Sequence, residues 1–358
     1  MSVAAVFGPA MRSIVREDLE RVVRAPLPWE RLEGRTLLVA GAAGFLPAYL
    51  VETILHLNDT RFARPARIVA LVRHEARARA RFAPHLDRPD LRLLVHDVCR
   101  PPTLTGDVHY IIHAASPASP KSYGLDPAGT IAPNVVGTYH LLELARERGA
   151  EGFLFFSSGE VYGRIEGGDG VLTEARTGSV DPADSSSCYA EGKRAGETLC
   201  ACWHRQHRVP AVMARPFHTY GPGMAPDDGR VFADFVADVV AGRDIVLRSD
   251  GTARRSFCYL ADATAGFFTV LLKGLPGEAY NVGNPGGEMS VGELAELLVR
   301  LFPERQLRVV RREGDVPSGY VPSRHARTVP DISKVRSLGW EPETGAAEGF
   351  ARTVRSYQ

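Results

Sequence analysis

From Arg35 onward, short apolar runs alternate with longer stretches in which apolar residues recur every three or four positions. The runs "TLLVA" (36–40), "RIVALV" (67–72), "LRLLV" (91–95), "VHYIIHA" (108–114), "GFLFFS" (152–157) and "VPAVMA" (209–214) are mostly apolar, without a sustained alternation with polar residues. That is the mark of strands covered on both faces. Between them, 45–57, 74–82, 128–148 and 188–207 carry helical spacing. Such alternation predicts an α/β fold, a Rossmann-type doubly wound parallel sheet with helices on both sides.

Upstream, "MRSIVREDLERVVR" (11–24) places Ile14, Leu19, Val22 and Val23 near helical spacing before "APLPWE" breaks the pattern. This predicts a helical extension within residues 1–32. After Pro216 the rhythm changes: "TYGPGMAPDDGR" is turn-rich, and helices at 230–241 and 291–301 are separated by short strand-like pieces. The expected organisation is a dinucleotide-binding domain at 33–217, with 254–276 returning to it. A smaller C-terminal α/β substrate-binding lobe is expected from 218–253 and 277–358.

The composition narrows the function. A 358-residue chain with 44% hydrophobic residues can bury a large core. Its 43 basic residues stand against 42 acidic ones, so the basic field that grips nucleic acid or an anionic membrane is missing, and a small-molecule partner is expected. No apolar stretch approaches the roughly 20 residues of a membrane span, and the "VAAVFG" start lacks a signal-peptide h-region, which predicts a cytoplasmic protein. The five cysteines, Cys99, Cys188, Cys200, Cys202 and Cys258, are odd in number and lack C-x-x-C pairing. Neither a disulfide framework nor a metal site is expected.

The first strand runs into "GAAGFLP", with Gly41 and Gly44 before a helix. Glycines there allow a tight turn and close approach of backbone N–H groups to a pyrophosphate, which a helix N-terminus also favours. Gly41, Ala43, Gly44, Phe45 and Leu46 are therefore candidate cofactor contacts. Pro47 holds the place of a third glycine. Asp97 and Val98, ending the third strand, are placed to meet an adenine edge. Ala114, Ala115 and Ser116, ending the fourth, are small enough for a cofactor to lie close. Arg73 ends the second strand where an NAD site ordinarily offers an acid, which suggests NADP. Against this, 39 of the 43 basic residues are arginine, so one arginine at an exposed position says little.

In "SCYAEGKRAGE", Tyr189 and Lys193 are four apart on a predicted helix and share a face. An ammonium beside a phenol favours phenolate; lowering a tyrosine from about 10 to about 7 needs roughly 4 kcal/mol. Such a phenolate can take a proton from an alcohol as hydride leaves. The alternative is an ordinary surface pair, but 11 Tyr and 4 Lys in the chain make an accidental one rare. Ser157 and Ser158 end the fifth strand at its carboxyl edge, where ligands of open α/β sheets bind. Ser158 can donate to the reacting oxygen.

The stretches "HAASPASPKSY", "NVVGT", "SGEVYG", "YAEGKRAGE", "YGPGM" with "DDGRV", and "PDISKVRSLGWEP" together resemble the extended short-chain dehydrogenase/reductases that act on nucleotide sugars. Within these the chain is most similar to the UDP-glucuronate decarboxylases, over roughly 35–350. The resemblance implies bound NAD, a UDP-sugar substrate and a homodimer formed through the helices at 128–148 and 188–207. It also implies oxidation at C4 of the sugar with Tyr189 as base, followed by loss of the C5 carboxylate. Because the cofactor would be regenerated in each cycle, NAD is expected despite Arg73.

In similar dehydratases an Asp-Glu pair follows the hydroxyl residue. Here Gly159 takes the Asp place and Glu160 follows, a decarboxylase-like arrangement in which Glu160 orients the sugar or handles a proton near C5; the alternative is a salt-bridge partner. By the same resemblance Pro117, Ser119, Tyr123 and His218, which stands where relatives often carry Asn, lie near the sugar. Arg230, Arg255 and Arg327 are candidates for phosphate or uronate. A 4-epimerase, a 4,6-dehydratase and a catalytically idle dinucleotide-binding sensor or scaffold are the rival readings.

Overall fold

The computed structural model describes residues 8–165, 167, 170–312 and 326–358. The reading of the "VAAVFG" start falls almost wholly outside them. Seven strands form one sheet: β1 (Thr36–Ala40), β2 (Arg67–Val72), β3 (Leu91–Val95), β4 (Tyr110–His113), β5 (Gly152–Phe156), β6 (Ala211–Pro216) and β7 (Ala279–Val282). Their order is β7-β6-β5-β4-β1-β2-β3, and every pairing is parallel. Leu37 and Val39 enter one apolar core while Leu38 and Ala40 enter another. That period of two across a sheet buried on both faces is what the apolar runs encode.

Strand order reverses between β1 and β4, where Ala40 lies opposite His113. A crevice for ligands opens at such a reversal, outside the carboxyl ends of the strands. The helix Phe45–Thr60 starts there, as does the loop that follows β4.

The structure differs from the sequence expectations in three places. β7, at 279–282, joins the large sheet beside β6, outside the expected return at 254–276, while Arg254–Ser256 at the start of that segment belongs to a different sheet. The predicted helix at 128–148 is three pieces: Pro127–Ala132, a π-helical segment Pro133–Gly137, and Thr138–Arg148. Pro133 has no N–H to give to the ladder, and the chain widens locally around it. Finally, the N-terminal helix Pro9–Arg24 is built into the core, with Met11, Asp18, Leu19, Val22 and Val23 buried.

Apart from the large sheet, Val171–Leu172, which precedes β6, joins Arg254–Ser256, Glu288–Ser290 and Arg327–Pro330 in a separate four-stranded sheet. The helix Leu260–Lys273 returns to the large sheet and packs its apolar residues into the same core as Leu37 and Val39. Among the described residues, no helix is long and apolar enough to cross a membrane.

Candidate active site

The loop after β1 is fixed by its own backbone. Gly41 N–H donates to the Leu71 carbonyl at 2.9 Å and Gly44 N–H to the Gly41 carbonyl at 2.8 Å. Gly41 has φ +79°, and a Cβ there would stand 2.7 Å from the Ala115 backbone. Only glycine fits both constraints. Gly44 caps the 16-residue helix Phe45–Thr60 without a side-chain bond, which leaves its first amides to a ligand. Ala43 lies in the turn, and Phe45 and Leu46 pack against the cluster of Leu19, Tyr49 and Leu260. Pro47 is buried in the first turn. Gly41→Ala is expected to cost about 2 kcal/mol or more in stability and to reduce retained dinucleotide, read by thermal unfolding and by nucleotide release on denaturation.

Val98 is buried. Asp97 accepts the Cys99 N–H at 2.9 Å, and that bond, with the nearby Arg73 and Arg100, lowers its carboxyl. Arg73 is exposed at the end of β2 and donates to His74 Nε2 at 3.3 Å. Ala114 and Ala115 line the end of β4, and Ser116 Oγ accepts from Asn134 Nδ2 at 3.0 Å. These residues, with their small side chains and uncapped helix start, fit a dinucleotide laid across the strand ends.

At the carboxyl end of β5 the Ser158 side chain accepts the Glu160 N–H at 3.1 Å, capping the 3-10 turn Gly159–Tyr162. Ser158 also shares a hydrogen bond with the Tyr189 phenol. Tyr189 and Lys193 rise from the helix Cys188–His207. Both are buried, and Lys193 Nζ lies 5.5 Å from the Tyr189 ring centroid. It donates to the Phe156 carbonyl at 2.5 Å.

Burial pushes the Tyr189 phenol up to about 12; Ser158 and Arg230 act against that shift and Glu160 with it. Burial also pulls Lys193 down to about 7, with Glu197 opposing. The Tyr123 ring stacks on Tyr189, with centroids 4.9 Å apart and planes 17° from parallel. Glu160 and Arg230 act electrostatically on both phenols. Glu160 is exposed, while Arg230 pairs with Asp228, whose carbonyl accepts the Ser119 hydroxyl at 2.6 Å. Pro117 opens this same loop.

Ser158, Glu160, Tyr189, Lys193, Tyr123, Ser119 and Arg230 thus converge. Arg255 and Arg327 stand on adjacent strands of the four-stranded sheet. Buried Arg255 donates to the Arg254 carbonyl at 2.6 Å, and Arg327 holds Glu288 through two bonds of 2.7 Å. His218, half-buried, has φ +24° and sets its ring edge-on to Phe257 at 6.1 Å. Asn and His are among the residues best tolerated at positive φ, so the histidine keeps the backbone turn.

Sequence reasoning passed over four residues here. Asn134, buried in the π-helical segment, donates to Ser116 and to the Thr130 carbonyl. His113 is buried beside Lys193, and burial depresses its imidazole to about 3. Glu197 and Arg215 form an ion pair at 2.6 Å behind Ser157. His113, Asn134 and Glu197 stand at the ends of the stretches "HAASPASPKSY", "NVVGT" and "YAEGKRAGE", and Pro133 within a helical pattern was a further signal for Asn134; no role was read from them.

Residues 37–283 match the NAD dependent epimerase/dehydratase family. The chain is similar to UDP-glucuronic acid decarboxylase 6 of Arabidopsis thaliana, 36% identical over 319 residues that cover 88% of this chain and 86% of that protein. Among solved structures it resembles dTDP-glucose 4,6-dehydratase DesIV of Streptomyces venezuelae with NAD and TYD bound. That likeness has TM-score 0.75 and 28% identity over 90% of this chain and 96% of that one. It shares its fold with UDP-glucuronic acid 4-epimerase of Bacillus cereus, TM-score 0.73 and 22% identity over 90% and 98% of the respective chains. A glycine turn at the sheet's reversal point, a Tyr-x-x-x-Lys pair under a strand-end serine and a match covering most of the chain place this protein in the NAD dependent epimerase/dehydratase family.

Proposed function

We propose that the protein is an NAD-dependent UDP-glucuronate decarboxylase forming UDP-xylose, its 4-keto form, or both. The observation that carries this reading is the Ser158-Gly159-Glu160 turn. It sets a hydroxyl on the Tyr189 phenol and a carboxylate near enough to act on the same phenol, with glycine where a dehydratase-like chain carries its acid. The similarity to curated UDP-glucuronic acid decarboxylases supports it.

NAD bound across the strand ends would supply the hydride acceptor, and afterwards the donor, at C4 of the sugar. Tyr189 as phenolate takes the proton of the 4-hydroxyl, and Ser158 donates to the same oxygen as it becomes a carbonyl. The C5–carboxyl bond then breaks; carbon dioxide leaves and the electron pair moves onto the C4 oxygen held between Ser158 and Tyr189. A proton returns to C5 as the C4 carbonyl re-forms, and Glu160, exposed to solvent, can relay it from water. Arg230 offers a guanidinium to the uronate or the diphosphate.

A homodimer fits the surface: Val136 and Tyr139 are 41% and 45% exposed on the helices at 133–148, and Tyr139 meets Trp203 edge-on at 5.3 Å. A cytoplasmic location fits five free cysteines.

Incubating the purified protein with UDP-glucuronate is expected to release carbon dioxide and yield a product lighter by that mass. Loss of water from a nucleotide hexose, or isomerisation without change of mass, would establish the dehydratase or epimerase reading instead.

A further inference from the structure

Ser158 sits on a strand end and Tyr189 and Lys193 on a helix, so their geometry depends on what joins the two elements. The helix Cys188–His207 carries Glu197 about one turn beyond Lys193. Its carboxylate accepts the Ser157 hydroxyl at 2.5 Å and both arms of Arg215, Nε at 2.8 Å and an Nη at 2.6 Å. The other Nη of Arg215 donates to the Tyr162 hydroxyl at 2.9 Å and the Glu174 carbonyl at 3.2 Å. Tyr162 in turn donates to Asn281 at 2.6 Å. The side chains of Glu197 and Arg215 are only 13% and 11% exposed, and the proposed chemistry uses neither.

The segment held this way is the reacting one. Phe156 offers its carbonyl to Lys193, Ser157 is tied to Glu197, and Ser158 reaches Tyr189. The groups facing Lys193 come from three elements: His113 of β4, the Phe155 ring and Phe156 carbonyl of β5, and Tyr189 and Glu197 of its own helix. Arg215 of β6 stands behind Glu197. Within this set Glu197 alone brings a negative charge. Two buried cations share it.

We propose that Glu197 is a positioning residue of the reaction, tying the end of β5 to the Tyr189–Lys193 helix through Ser157 and supplying, under the control of Arg215, the counter-charge of the Lys193 ammonium. This rests on Tyr189 and Lys193 being the proton-handling pair. Losing one proton from the pair gives either phenolate with ammonium, which is reactive, or phenol with neutral amine, which is not. Glu197 weights the division toward the first.

The chain has only four lysines, so protein grown on lysine labelled with carbon-13 at Cε gives few side-chain resonances, and Lys193→Arg assigns the one of interest. Wild-type Lys193 is expected to titrate near neutrality, and Glu197→Gln to lower its midpoint by about one pH unit. Arg215→Gln, which frees the Glu197 charge, is expected to raise it. In turnover, Glu197→Gln should lower the kcat plateau about tenfold and move the acid limb to lower pH, because less of the deprotonated pair is reactive. A defect of packing alone lowers kcat and leaves the limb in place. Ser157→Ala should lower kcat with the Lys193 midpoint unmoved.

A midpoint that is the same in wild type and Glu197→Gln overturns the proposal. If that variant does not fold, Arg215→Gln decides alone, and a midpoint that fails to rise overturns it. Because the titration needs no substrate, a wild type inactive on UDP-glucuronate would reject the decarboxylase reading and still leave the Glu197 result decisive.

Discussion

Tyr189→Phe is expected to lower carbon dioxide release from UDP-glucuronate by about 10³-fold, within the range that a positioned acid–base group contributes. The phenylalanine ring keeps the stack on Tyr123, 4.9 Å between centroids, so the pocket wall that the sugar meets is unchanged and KM should move little. Only the proton acceptor goes. Losing the hydrogen bond to Ser158 costs about 1 kcal/mol of stability, too little to unfold the chain at assay temperature.

The phenol is held up to about 12 chiefly by burial, so Tyr189 does not ionise near neutrality by itself. In the fold Ser158 and Arg230 act against burial, and Lys193 beside the ring does not outweigh it; the positive charge of bound NAD would add to the pull toward phenolate. Rapid-mixing measurement of reduced cofactor separates the steps: the variant should fail at the first oxidation and accumulate neither reduced cofactor nor 4-keto sugar. Turnover within a factor of three of wild type would remove Tyr189 from the chemistry and revive the sensor reading.

This candidate site was legible where one element carries its parts. Tyr189 and Lys193 share a helix face, and Ser158 and Glu160 follow directly on an apolar run, so period and position suffice. Arg230 was legible only by resemblance, because it acts on Tyr189 from the residue before the helix Val231–Val240 and no spacing in the chain links the two. The same holds for the Glu197–Arg215 pair, which joins a helix to a strand lying beyond the helix's end.

Five of the six strands read from "TLLVA" to "VPAVMA" are visible because burial on both faces demands apolar runs; the edge strand β3, with Arg92 and Val95 exposed, is visible from its leucines alone. β7 escaped that test. Its four residues include Asn281, whose amide donates to the Leu172 and Asp331 carbonyls at 2.8 and 3.0 Å. A buried polar residue satisfied from outside the strand reads in sequence as a turn.

Asp18 was hidden in the same way. On a helix patterned with Arg16, Glu17, Glu20 and Arg21 it reads as one more residue of a solvated face. In the fold it is 0% exposed. The Tyr259 hydroxyl donates to it at 2.7 Å, Tyr49 at 3.2 Å, and an Nη of Arg352 at 2.7 Å. Those donors come from the two-residue strand Cys258–Tyr259, from the helix Phe45–Thr60 and from the C-terminal helix Ala346–Arg355.

Asp18→Ala is therefore expected to destabilise the protein by about 3–5 kcal/mol, the cost of stripping one partner from a buried charged pair. It leaves two buried phenols and a largely buried guanidinium without their shared acceptor. Urea denaturation followed by fluorescence checks this, and a loss below about 1 kcal/mol would show that the N-terminal helix is an appendage.

The pH dependence has a definite sign. Burial raises the Asp18 carboxyl above its ordinary value, outweighing Arg352 and the two tyrosines. Its contribution is thus complete below the unfolded value and declines as pH rises through the folded one. Asp18→Asn keeps the volume and abolishes the titration. The stability of wild type relative to Asp18→Asn should consequently fall with rising pH across that window. A difference that grew instead would mean that the three donors outweigh desolvation, and that the ionised carboxylate itself holds the helix down.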